Sequence, residues 1–226
     1  MTRQTILKSS LAAMILAAAP AFAQDQGFYG SIKVFDAYRQ LSNMKLTSPR
    51  VAGRTQDPKS IRTPNGSLSL SYQYDSLFRA EVEYTLPSSA RFVGRWAPFT
   101  ANDNVLNTRT QRLMLNGYVH WPLAQRISLF GMLGAGLAMT RTSGWQTRPD
   151  RAFEHGRNIR AAYAMGVGAD VRITSDMHLE LGYRWVDLGN ISTRPNLFDN
   201  RAHARDEQLK GRLREQNVYL GLRKML

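Results

Sequence analysis

The chain has 226 residues, a formal charge of +13, 43% hydrophobic residues and no cysteine. Without cysteine no disulfide framework can hold it. After residue 23 no uncharged apolar stretch approaches the ~20 residues that a helix needs to cross a bilayer, which excludes a helical membrane protein. The excess of cations points to an anionic partner.

The N-terminus reads as a secretory signal peptide. Arg3 and Lys8 supply the positive start, Leu11 to Pro20 the short apolar run, and Ala21-Phe22-Ala23 the small residues of a cleavage site. Cleavage after Ala23 leaves residues 24–226 as one domain, with +11 once Arg3 and Lys8 are subtracted from +13. Export makes nucleic acid a poor partner and a phosphorylated lipid surface a better one.

Eight segments alternate apolar and polar residues, the period of a strand with one greasy face. The first, residues 27–39, carries Phe28, Ile32, Val34 and Tyr38 on that face, with Asp36 as a flaw. The second is the most regular: Leu68, Leu70, Tyr72 and Tyr74 alternate with Ser67, Ser69, Ser71 and Gln73. The third, 78–86, sets Phe78, Ala80, Val82, Tyr84 and Leu86 against Arg79, Glu81, Glu83 and Thr85. The fourth, 112–121, and fifth, 127–140, follow with Leu113, Leu115, Val119 and Trp121, then Leu129, Leu133, Leu137 and Met139. The sixth, 160–172, offers Tyr163, Met165, Val167 and Val171; the seventh, 177–185, Leu179, Leu181, Tyr183 and Trp185; the eighth, from about 216, Val218, Leu220, Leu222 and Leu226.

The connections alternate as well. Tight turns fall near Asp75, Pro122 to Arg126 and Ile173 to Asp176, whereas 41–65, 87–110, 141–159 and 188–214 read as long loops. Short turns at one end and long loops at the other are the layout of an all-β, eight-stranded antiparallel up-and-down transmembrane barrel, with periplasmic turns and extracellular loops.

A soluble barrel shows the same period with its faces exchanged, so the polar face has to decide. Here it is rich in small residues (Ser67, Ser69, Ser71, Gly134, Gly136, Ala162, Ala164, Gly166, Gly168, Gly182), as a narrow lumen requires. Its charges nearly balance: Arg79, Arg112, Arg160, Arg172, Arg184 and Arg223 against Glu81, Glu83, Asp170 and Glu180. Buried charges are costly unless paired, so ion pairs of Glu81 or Glu83 with neighbouring arginines are expected; the alternative is a wet lumen with loose pairing. Outward aromatics cluster near strand ends, as interfacial girdles do: Phe28, Tyr72, Tyr74, Phe78 and Trp121 by the short turns, Tyr38, Tyr84, Tyr183 and Trp185 by the long loops.

Residues 179–189, Leu-Glu-Leu-Gly-Tyr-Arg-Trp-Val-Asp-Leu-Gly, and 217–223, Asn-Val-Tyr-Leu-Gly-Leu-Arg, resemble the last two strands of the small outer-membrane β-barrel family, the opacity-type and OmpA-like proteins of Gram-negative bacteria. The resemblance implies an outer-membrane location and insertion by the barrel assembly machinery. Members usually end in phenylalanine, whereas this chain ends Lys224-Met225-Leu226. Lys224 falls on the outward face, where a terminal position lets its ammonium snorkel.

Three functions follow. The first is a structural or surface-interaction protein that binds lipids, lipopolysaccharide and, through its loops, a host or cell-surface ligand; Arg109, Arg141, Arg157 and Arg214 are placed to contact lipopolysaccharide phosphates. The second is a narrow channel for ions or small solutes. An enzyme is the third and is not expected: His120 and His178 face the lumen without a serine two positions away on the same face. No phosphate loop, metal-ligand cluster or nucleotide motif occurs, so no cofactor is expected.

Overall fold

The computed structural model describes residues 26–47, 58, 60–95, 103–200 and 202–226; the expected signal peptide and the loop cations Arg50, Arg54, Lys59 and Arg201 lie outside them. Eight strands close into one barrel: β1 (Gly27–Thr47), β2 (Ile61–Gln73), β3 (Phe78–Arg95), β4 (Asp103–Ala124), β5 (Ile127–Gln146), β6 (Ala152–Arg172), β7 (Met177–Ser192) and β8 (Gln208–Met225). Every neighbour pair is antiparallel, and β1 closes the ring on β8 from Tyr29↔Met225 to Thr47↔Gln208.

The faces fall as a membrane barrel demands. Outward apolar side chains stay uncovered, among them Ile32, Leu68, Leu115, Leu133, Val167 and Val218, while Arg79, Glu83, Arg184 and Glu215 are buried inside. In this half of the barrel polarity is inverted relative to a soluble protein, because lipid is the outer solvent.

The strands run much further than the alternation suggests, chiefly at the extracellular end, with β4 also reaching Ala124 on the periplasmic side. β4 has 22 residues and β6 has 21, about twice the ~9–11 that cross a bilayer. The segment 141–159, read as a loop, is almost entirely strand, with a connection at 147–151. Above the membrane the pattern reverses. On β8, Leu209 and Leu213 turn inward and Lys210, Arg212 and Arg214 outward, whereas lower down Leu220 and Leu222 face out and Glu215, Asn217 and Tyr219 face in. A search for one continuous greasy face ends where that reversal begins. Bulges at Ser42/Lys45, Thr85/Ser88, Thr142/Gly144 and Asp187/Gly189 break the phase further.

The interior therefore has two zones. Charged groups fill the membrane half, and Leu41, Met44, Phe92, Leu106, Phe153, Leu188, Leu209 and Leu213 form an apolar core above it, each at most 2% exposed. In the lower zone inward glycines make room for bulk: a Cβ on Gly182 would collide with the Tyr219 ring, and one on Gly168 with Phe130.

Candidate functional site: a charged lumen and an arginine belt

Two constellations stand out, one inside and one outside. Inside, Lys33 on β1 reaches across to β3, with Nζ 2.6 Å from Glu81 Oε1 and 3.4 Å from Glu83 Oε2. Tyr118 donates its hydroxyl to Glu81 Oε1 at 2.7 Å, and Asn116 donates to both glutamates at 3.2 Å. Arg184 on β7 donates to Glu83 Oε2 at 2.6 Å. Arg79 Nη2 lies 2.7 Å from Glu180 Oε1, and its guanidinium sits 3.8 Å above the Tyr118 ring.

The same device recurs at both ends of this zone. Toward the apolar core Glu215 accepts from Arg39 Nε at 2.9 Å and Arg112 Nη1 at 2.7 Å. Toward the periplasm Asp170 binds Arg223 at 2.9 Å and His178 Nδ1 at 2.7 Å, while Arg223 also donates to Gln73 at 2.9 Å. Such networks are weak as net stabilisers because desolvation is expensive, but each severed partner leaves a buried charge.

Lys33, Arg39 and Glu215 belong to the network and were missed by sequence reasoning. Lys33 and Arg39 have the parity of Tyr29, Ser31 and Phe35, so alternation on β1 carried the signal. Glu215 lies one residue before the start read for the last strand. Arg160 is a correction. It is exposed, outside the network, and its Nε donates to the Asn190 carbonyl at 3.2 Å. The bulge after Asp187 ends the pairing of β6 with β7 at Tyr163↔Asp187, and the Arg160 side chain lies over the resulting seam. Asn158 closes that seam further up, donating to the Ser192 carbonyl at 2.9 Å and accepting from its amide at 3.1 Å. Arg172 is half-buried at the periplasmic mouth, beside His120, His178 and Arg223.

The outward aromatics make specific contacts. Phe28, Tyr72 and Tyr74 form an edge-to-face chain with ring centroids 4.8 Å apart at the periplasmic end, and Phe78 and Trp121 are about half exposed there. At the other interface Tyr84 donates to Gln111 at 3.2 Å and Tyr183 to Gln216 at 2.9 Å, each a diagonal partner on the next strand. Tyr38 lies under the Arg62 guanidinium, and Trp185 is half-buried beside Tyr183.

Outside, Arg109, Arg141 and Arg157 stand in one row, since Arg109 pairs with Arg141 and Arg141 with Arg157. The row sits directly above the outward Gln111, Met139 and Ile159, where the apolar band ends. Among the described residues no carboxylate lies within salt-bridge distance of any of the three. Arg214 differs. It is on β8, 3.8 Å from Asp187, which Arg212 also holds at 2.6 Å.

A closed up-and-down barrel with an apolar outer band, aromatic interfaces and a charged interior defines an integral outer-membrane β-barrel protein. The chain belongs to the outer membrane protein beta-barrel domain family, whose model matches residues 9–209. No curated protein sequence matches the chain. Among solved structures, the outer membrane protein OprG from Pseudomonas aeruginosa is similar with a TM-score of 0.53 and 12% identity, covering 90% of this chain and 98% of its own. AlkL, solved in DMPC lipid bilayers, gives 0.53 and 10% identity over 92% of this chain and 94% of its own. The outer membrane protease OmpT from Escherichia coli gives 0.50 and 10% identity, with 92% and 99% coverage. Likeness at such identities establishes the fold.

Proposed function

We propose that the protein is a non-catalytic surface protein of the outer membrane, anchored by its lower barrel and by lipopolysaccharide phosphates held on the arginine belt. The extracellular half then serves as a stiff stalk that carries the loops toward a host or cell-surface ligand. The observation that supports this reading most directly is the in-register row Arg109, Arg141 and Arg157 at the edge of the apolar band. Like charges directly opposite on adjacent strands repel, and a bound anion removes that cost. Guanidinium groups suit phosphate because they offer two parallel N–H donors.

The alternative of a channel is disfavoured by the apolar core above the charged zone, where Leu106, Phe153, Leu209 and Leu213 are almost fully buried. Biogenesis through the barrel assembly machinery belongs to the same reading.

The test is reconstitution of the purified barrel into vesicles with lipid A or with its dephosphorylated form. Tighter association with the phosphorylated lipid, reduced by Arg141→Gln, is the expected result; equal association with both lipids rejects the phosphate contact.

A further inference from the structure

The arginine row is one edge of a larger groove, of about 790 Å³, on the outer wall of β3 to β6. Its outward side chains form two rows. Ser89, Arg109, Arg141 and Arg157 make the row next to the membrane, and Arg91, Asn107, Ser143 and His155 make the row above. Arginines thus border a neutral centre of Asn107 and Ser143 on two sides, with the His155 imidazole on the third. Three strand spacings of ~4.8 Å separate Arg91 on β3 from His155 on β6, about 14 Å in all. Arg91 is fixed from above by the Trp145 ring, 5.0 Å from its guanidinium.

Among the described residues, the rest of the circumference lacks this arrangement next to the membrane, although Lys45 and Lys210 pair in register higher up. Outward arginines on β8 share Asp187, and Arg62 on β2 has Asp36 within 3.8 Å. Among the described residues, uncompensated positive charge at the membrane edge is therefore concentrated on β3 to β6. From this asymmetry we infer that the groove is a single, face-specific site for the headgroup of a bis-phosphorylated glycolipid, with phosphates on the arginines and sugar hydroxyls on Asn107 and Ser143. This rests on the phosphate reading above and adds to it a stoichiometry, a sugar contact and an orientation. The lipid source is favoured over a soluble phosphorylated or sulfated saccharide because the lower row adjoins Met139 and Ile159, so the headgroup's acyl chains continue onto the apolar band.

Neutral and charged contacts respond differently to salt. Phosphate contacts weaken as salt screens them, whereas a hydrogen bond from an amide to a sugar does not. Native mass spectrometry of the full barrel, released from nanodiscs holding phosphatidylcholine and bis-phosphorylated lipid A, counts the lipids retained. One retained lipid A is expected, with at least a tenfold loss of occupancy in Arg109→Gln/Arg141→Gln and a several-fold, salt-independent loss in Asn107→Ala. Heat-dependent gel migration of each variant checks that the barrel has formed. Several lipids retained, all sensitive to the double substitution, overturn the single-site inference and leave the phosphate reading standing. No effect of the double substitution overturns both. A soluble bis-phosphorylated disaccharide that binds as tightly as the lipid overturns the assignment to a membrane headgroup.

Discussion

Arg184 Nη1 on β7 lies 2.6 Å from Glu83 Oε2 on β3, so one ion pair spans the lumen between strands that are not neighbours in the sheet. Lys33 from β1 meets the same carboxylate, which therefore ties three walls of the barrel together. Glu83→Gln leaves Arg184 without its carboxylate in a fully buried setting, while Lys33 keeps Glu81 at 2.6 Å. A loss of ~3–5 kcal/mol is expected, the usual cost of breaking one side of a buried pair. Urea unfolding in detergent measures it. A double replacement of Glu83 and Arg184 by Gln and Met is expected to recover part of the loss, because no unpaired charge then remains at Arg184.

The upper interior should behave like the core of a soluble protein. Phe92 is fully buried there, whereas Leu115 on the lipid face is 62% exposed. Phe92→Ala is expected to cost ~3–5 kcal/mol through lost burial and a cavity. Leu115→Ala, whose neighbours are detergent or lipid, should cost under about 1 kcal/mol, near the range of surface changes. Equal costs at the two positions would show that the extracellular half lacks the apolar core described here.

Conductance separates the two zones. Purified protein in planar bilayers is expected to be silent, and Lys33→Ala is expected to remain silent although it removes a central lumenal cation. The reason is that Leu41, Leu106, Phe153, Leu209 and Leu213 close the interior above the charged zone. Stable single-channel steps in the parent protein would instead establish an open path through that core.

The lower half of this barrel was legible in outline, Lys33 apart, because one solvent, lipid, acts on one face throughout: the periplasmic strand ends at Phe78, Ile127, Arg172 and Met177 coincide with the ends of the alternation. The upper half was not, and Leu209 and Leu213 show why. They are apolar on the parity that holds Glu215 and Asn217 lower down, so one strand obeys two opposite rules on either side of the interface. Arg160 has inward parity, but its orientation depends on the bulge in β7, a distant feature that local pattern does not carry. The arginine row needed register as well. Arg109, Arg141 and Arg157 are far apart in sequence, and only the pairing of three strands makes them neighbours.

The last turn on the periplasmic side gives a prediction with a defined sign. Thr174 donates its hydroxyl to Asp176 Oδ1 at 2.6 Å, and this bond chiefly, with a smaller contribution from the Lys224 ammonium, holds the Asp176 carboxyl below the usual carboxylate range. The unfolded chain therefore binds this proton more readily than the folded one, so the stabilisation is full at neutral pH. It is lost as pH falls through the depressed folded value, on the acid side of the ordinary aspartate range. Asp176→Asn should accordingly lower the urea midpoint slightly at pH 7, and the deficit should shrink as the pH is taken down to 2. The electrostatic attraction between Asp176 and Lys224 draws that outward lysine's charge toward the turn and away from lipid, so Lys224→Met should fold as readily as the parent. Parallel unfolding curves at the two pH values decide the first point: a deficit of the same size at pH 2 would mean that the aspartate acts through turn geometry alone.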